Sequence, residues 1–189
     1  MSRKIITLPN SHLREKSHKI GIVTDDVRRL IEDMKEATLK WEAGRDHEVG
    51  VALAAVQVDE LVRIIVVRND CNDKKNLEFT SFINPVIVKR QGELVEDFEG
   101  CLSVPDIYGK VSRYGKVKVR ATDENGQQFR ISADGFLARI FQHEIDHLQG
   151  VLFIDRIKEN SDAFFQLTAE GKLEQLNYEE DVRNNSILW

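Results

Sequence analysis

Phe141-Gln142-His143-Glu144-Ile145-Asp146-His147-Leu148 is the stretch around which the rest of the chain can be organised. On a helix, His143 and His147 stand one turn apart on one face, suited to ligate a single metal ion, with Glu144 beside them to carry a proton. Asp134 offers an N-cap and Gly150 a residue just past the C-terminus. At about 100° per residue, Phe136, Leu137, Ile140, Phe141 and Leu148 share one arc, while Ala138, Arg139, Gln142, Asp146 and Gln149 take the other side. The two histidines and Glu144 fall with the apolar arc or at its margin, so they are predicted to face the core. Buried imidazoles and a carboxylate without partners are costly, and a bound metal removes that conflict. The competing reading is a helix whose histidines are merely hydrogen-bonded core residues.

With 189 residues, 41% of them hydrophobic, the chain can bury a sizeable core, and its length favours one domain, residues 1–189. A net charge of −5 with mixed signs excludes a global basic field and leaves a local basic patch open. No apolar run approaches the roughly 20 residues of a membrane span, and Met1-Ser2-Arg3-Lys4-Ile5-Ile6 lacks the apolar region of a secretory signal. A soluble, cytoplasmic protein is expected. Two cysteines, Cys71 and Cys101, do not make a disulfide framework, and one of them is open to a role as ligand or nucleophile.

Working outward, residues 1–23 carry no decisive periodicity. Thr24-Asp25-Asp26 supplies a cap and first-turn acids for an amphipathic helix bearing Val27, Leu30, Ile31, Met34, Ala37, Thr38 and Trp41. Residues 44–50 read as a polar loop, and Arg45-Asp46-His47-Glu48 within it has no assigned role. Val51-Ala52-Leu53-Ala54-Ala55-Val56-Gln57 follows, a run of small apolar residues that lets a ligand or another backbone come close. Extended segments are expected at 61–67, 79–88 and 94–98, with a turn-rich loop at 69–76. A hairpin is expected from 117–122 through Asn125-Gly126 to 127–132. Strands precede the histidine helix instead of alternating with helices, which predicts an α+β fold. Residues 159–180 lean towards helix, forming a C-terminal extension over 159–189, and Asn184-Asn185-Ser186 reads as a frayed tail.

Two helical histidines leave a third ligand to find. Cys101, His12, His18, His47, Glu170 and Glu174 are candidates, and the last two would make a zinc endopeptidase. Cys101 is the stronger one, because a metal would hold its thiolate deprotonated beside the small Gly100. A cytidine-deaminase-like site is excluded for lack of its Pro-Cys-x-x-Cys.

Residues 50–57, Glu99-Gly100-Cys101-Leu102-Ser103 and Gln142-His143-Glu144-Ile145-Asp146-His147-Leu148 together resemble the three signature motifs of the peptide deformylase family, in order and at similar spacing. The resemblance runs from about Pro9 to Ile157. It implies antiparallel or mixed sheets packed around the central metal-binding helix, with an N-terminal amphipathic helix and a C-terminal helix. It implies a divalent metal on Cys101, His143 and His147, Fe²⁺ in the cell and Zn²⁺ or Ni²⁺ able to replace it. Glu144 would be the acid/base residue, with the Gln57 side-chain amide and the Leu102 backbone N–H facing the oxyanion. The implied reaction removes the N-formyl group from the initiator methionine of nascent polypeptides, by a monomer with the ribosome as a further candidate contact and with no membrane or nucleic-acid specificity. By position within the motifs, Gly50, Val51, Ala52, Glu99, Gly100, Phe136 and Ile140 would bind substrate, and Glu99 with Arg113 would form a supporting pair. The family's first motif has glycine where this chain has Ala52. If that glycine serves close approach of the substrate backbone, the added methyl group would tighten the cleft or shift the peptide, and a positive local φ would also strain the alanine; the alternative reading is a catalytically impaired metal-binding or ribosome-associated module.

Overall fold

The computed structural model describes residues 3–45, 47–71 and 73–189; Met1 and Ser2 of the lead-in, Asp46 of the polar loop and Asn72 of the 69–76 turn lie outside the described residues. Thr24 caps the first helix as expected: its hydroxyl oxygen accepts from the Val27 amide, and Asp25 and Asp26 open α1, Asp25–Glu42. The stripe Leu30, Ile31, Met34, Ala37 and Thr38 is buried. It packs against Leu53, Ile64 and Val66 of β1 (Ala52–Ala54) and β2 (Ile64–Arg68).

The extended segments at 79–88 and 94–98 turn out to belong to one strand, β3 (Phe79–Cys101), which pairs along its length with β4 (Val104–Thr122). Bulges between Ile83 and Val86 and between Gln91 and Leu94 shift its register and bend it. After Asn125-Gly126, with Gly126 at φ 80°, β5 (Gln128–Asp134) returns along β4 as the predicted hairpin. The sheet runs β1-β2-β3-β4-β6-β7, with β5 also on β4, and every pairing between strands is antiparallel.

The histidine helix is α2, Gly135–His147. It ends as its sequence demands: Gly150 adopts φ 73°, its amide donates to the His147 carbonyl and the Val151 amide to the Asp146 carbonyl, both at 3.0 Å. This pair of bonds satisfies two carbonyls that a helix end leaves open. Asp134 occupies the N-cap position without a side-chain cap bond.

The expected two-sided wheel is corrected by the packing. Ala138, Arg139 and Gln142, assigned to the polar side, are buried, whereas Phe136 is half exposed. The β3–β4 hairpin covers the helix on that side and supplies partners: the Gln142 amide donates to the Tyr114 carbonyl (2.9 Å) and accepts from the Tyr114 amide (3.1 Å). Elsewhere α2 is held by Val117, Val119 and Phe82, whose ring meets Phe141 edge-on at 4.8 Å.

The C-terminal helix expected over 159–180 is not formed. After α3 (Phe153–Ile157) come β6 (Phe164–Leu167) and β7 (Leu173–Gln175), then a single π-helical turn at Tyr178–Val182. Two adjacent aromatics decide it, because an extended backbone sends Phe164 into the core and Phe165 to the opposite face, edge-on to Phe98 at 4.9 Å. Gly171 at φ 75° makes the turn, and β6 pairs with Ile107–Gly109 of β4. Nor is the end frayed: Leu188 is buried, its carbonyl accepts from Arg14 Nη2 at 2.8 Å, and the Trp189 indole donates to the Val182 carbonyl. Among the described residues no helix is long and apolar enough to cross a membrane.

Candidate active site

Three elements meet where the sequence motifs do. Cys101 ends β3 at the tight turn into β4, opposite Val104. Gln57 sits on the 3₁₀ turn Ala55–Val58 that follows β1, and α2 carries His143, Glu144 and His147. The sulfur of Cys101 lies 3.3 Å from His147 Nε2, which is 3.2 Å from His143 Nε2, and the three ligand atoms all lie within 4.8 Å of one another. Two nitrogens each about 2.0–2.1 Å from one tetrahedral ion stand roughly 3.3 Å apart, so the two imidazoles already have the spacing of a shared metal. One soft thiolate with two imidazoles suits a divalent transition metal. The residues present therefore fit the implied ion.

The surrounding charges fit it as well. Glu99, buried, accepts from His143 Nδ1 at 2.9 Å, from Arg113 Nε and Nη2 at 2.8 and 2.9 Å, and from Arg139 Nη1 at 2.8 Å. Burial alone would raise its pKa, but the Arg113 and His143 hydrogen bonds prevail and hold it far below the usual carboxylate range. With Glu99 ionised, His143 Nδ1 must carry the proton, which leaves the Nε2 lone pair facing Cys101 and His147. Burial opposes charge on His143, yet Cys101 and Glu99 outweigh it and raise its pKa, whereas burial and its neighbour His143 keep His147 neutral. A field that favours a proton on His143 favours a metal cation in that place.

Glu144 is buried, Oε2 without a hydrogen-bond partner among the described residues, and desolvation raises its pKa to about 7. Gln57 is held by its neighbours: Oε1 accepts from the Ala54 amide at 2.9 Å, which fixes the amide's orientation, and Nε2 donates to Ser103 Oγ at 3.1 Å while lying 3.6 Å from the Cys101 sulfur.

Cys101, His143, Glu144 and Gln57 line a cavity of about 410 Å³ together with Val51, Ala52, Phe136 and Ile140, and His147 lies behind them. Of the predicted residues, Glu99, Gly100 and Leu102 also border it, but Gly50 does not. Its amide donates to Glu42 Oε2, its carbonyl accepts from Arg68 Nε, and a Cβ there would stand 2.6 Å from Thr38. Gly50 thus ties the cavity wall to a buried Glu42–Arg68 pair, a packing role. Ala52 lies in β1 opposite Val67 and is not among the residues with positive φ, so the expected strain is absent. Glu99 and Arg113 form a buried pair, both side chains 3% exposed, and not a surface one.

The other ligand candidates lie elsewhere. Glu170 and Glu174 are exposed on the β6–β7 hairpin, outside the ligand group; His12 pairs with Asp59; His18 is exposed where its backbone bridges to Val62; and His47 borders the cavity beside Gly171 without joining the ligand group. The endopeptidase reading loses its third ligand. Sequence reasoning missed Ser103 as the partner of Gln57 and Arg139 as a second guanidinium on Glu99. Arg139 stands one turn before His143 on the same helix, a spacing that could have flagged it.

The chain matches the polypeptide deformylase family over residues 2–163. It is 42% identical over 163 residues to the peptide deformylase of Thermomicrobium roseum, covering 84% of this chain and 88% of that one. Peptide deformylase 2 of Clostridium acetobutylicum is 39% identical over 157 residues, covering 83% and 96%. Among solved structures, a peptide deformylase from Synechococcus elongatus in complex with actinonin superposes with a TM-score of 0.74 at 36% identity, covering 82% of this chain and 79% of that one.

Proposed function

We propose that this chain, which belongs to the polypeptide deformylase family, hydrolyses the N-formyl group from the initiator methionine of nascent polypeptides, releasing formate. The observation that carries this reading is the grouping of the Cys101, His143 and His147 ligand atoms within 4.8 Å at a cavity that Cys101, His143, Glu144 and Gln57 line. A divalent ion held by Cys101, His143 and His147 would supply Lewis-acid activation of water and of the formyl oxygen. Membership of the family implies Fe²⁺ in that role in the cell with Zn²⁺ or Ni²⁺ as substitutes, and one thiolate with two imidazoles can hold any of the three.

Glu144 borders the cavity, one of its carboxylate oxygens has no hydrogen-bond partner among the described residues, and its desolvated setting brings its pKa near neutrality, so it can take a proton from attacking water and return it to the leaving amine. The Gln57 amide, its orientation fixed by Ala54, donates towards charge developing on the formyl oxygen, and the Leu102 N–H is its companion. Val51, Ala52, Phe136 and Ile140 offer an apolar wall for an unbranched side chain such as methionine. The cytoplasm, where formylated chains are made, is the expected compartment, and the ribosome a candidate contact.

Formate release from formyl-Met-Ala-Ser by metal-loaded protein tests the assignment. The parent should turn over, Glu144→Gln should retain metal and lose nearly all activity, and actinonin should inhibit. An inactive parent that nonetheless binds one equivalent of metal would refute it.

A further inference from the structure

The sheet face turned away from α2 carries a second charged feature. Along β4, Val117, Val119 and Ala121 are buried against the helix side, and Lys116, Lys118 and Arg120 between them are exposed on the other. Arg120 stands directly opposite Arg130 of β5 and Val86 of β3; Lys118 stands opposite Lys89 and Ser132; Lys116 stands opposite Gln91 and Asp134. Directly opposed residues share a face with Cβ atoms about 4.5–5.5 Å apart, where like charges destabilise the sheet. The five cations form no ion pair or side-chain hydrogen bond among the described residues. A chain with 32 acidic residues and a net charge of −5 places a single acid, Asp134, in these three registers. The local sign opposes the global one, and the repulsion between Arg120 and Arg130 and between Lys118 and Lys89 is one that an external polyanion would relieve.

We propose that this face binds RNA through its phosphate backbone, without reading sequence. Lys116, Lys118 and Arg120 repeat about every 6.6–6.8 Å along the strand, and Lys89 and Arg130 widen the row to either side, so the charge forms a flat band able to track a phosphodiester chain. The apolar neighbours on β3 are the short Val86 and Val88. The three registers hold five cations and no aromatic side chain, and the exposed Tyr114 and Leu94 stand one register further along the row, at the end of the band, so the contact rests on the cations and the backbone they can follow. Binding of this kind is weak and steeply salt-dependent.

The test is fluorescence anisotropy of a labelled RNA hairpin of about 20 nucleotides with the full chain at about 50 mM salt. The triple variant Lys118→Gln, Arg120→Gln, Arg130→Gln should lose at least about tenfold in affinity, and the slope of log K against log salt should flatten by about 2–3, the value for three phosphate contacts. Arg120→Gln alone should lose about two- to threefold. A control triple with the same charge change on exposed residues elsewhere, Lys16→Gln, Lys19→Gln, Lys172→Gln, should bind RNA as the parent does. Turnover of formyl-Met-Ala-Ser should be equal in all of them, which shows that each is folded. The proposal is overturned if the parent does not bind RNA, if both triples lose equally, so that net charge alone matters, or if the face triple keeps RNA binding and loses only binding to phosphatidylglycerol vesicles.

Discussion

Glu99 should govern both the stability of the fold and the affinity of the metal site, and the two effects can be measured apart. Its carboxylate accepts four hydrogen bonds of 2.8–2.9 Å, two from Arg113, one from Arg139 and one from the metal-ligand candidate His143, in a site where the Glu99 side chain is 3% exposed. Glu99→Ala leaves Arg113 with Asp146 and leaves Arg139 with the carbonyls of Val95, Asp97 and Val111. Removing one partner from a buried ion pair costs about 3–5 kcal/mol. For a chain of this size each kcal/mol moves Tm by about 2–4 °C, so metal-free Glu99→Ala should melt roughly 6–20 °C below the parent. Loss of the group that orients His143 should also weaken metal binding about 10–100-fold, or about 1.4–2.7 kcal/mol. Glu99→Gln keeps the volume and one acceptor oxygen, so it should spare more of the stability while still losing metal affinity. Thermal unfolding with excess chelator reads the first effect and competition against a chromophoric chelator the second. Unfolding of Glu99→Ala within about 1 kcal/mol of the parent, or metal affinity within twofold, would refute this account of the site.

Other substitutions probe separate features. Gln57→Ala should lower kcat about 10²–10³-fold with metal content unchanged, as expected for loss of one oxyanion donor; a rise in KM alone would assign Gln57 to binding instead. Ala52→Gly should leave turnover of formyl-Met-Ala-Ser within about threefold and reduce stability by about 0.5–1 kcal/mol, because Ala52 already sits unstrained in a strand where glycine costs entropy; a gain of tenfold or more in kcat/KM would mean that the methyl obstructs the cleft. Gly150→Ala, at φ 73° with a Cβ position 2.2 Å from the Arg14 carbonyl oxygen, should lower Tm by several degrees by disturbing the end of α2. Chelation should abolish activity and lower Tm, and Fe²⁺, Ni²⁺ or Zn²⁺ should restore both.

What the sequence displayed, and what it hid, follow from the range of the interactions involved. The caps of α1 and the glycine end of α2 are local chemistry, and Thr24 and Gly150 act as their types dictate. The ligand set was legible because His143 and His147 share a helix turn and Cys101 lies in a motif of its own. The wheel failed at Arg139 and Gln142, since whether a polar residue meets solvent or a buried partner depends on a hairpin that lies more than 20 residues away in sequence. The C-terminal hairpin was hidden for the same reason: polar composition leans towards helix, but an open edge at Ile107–Gly109 and a core place for Phe164 select a strand. Gly100 and Tyr108 illustrate the step from one level to the other. A Cβ on Gly100 would stand 2.6 Å from the Tyr108 ring, and Tyr108 in turn donates to Glu48 of the polar loop that had no assigned role. The glycine beside the metal-binding cysteine is therefore required by packing as well as by any approach of substrate, and the loop it reaches through Tyr108 is part of the cavity wall.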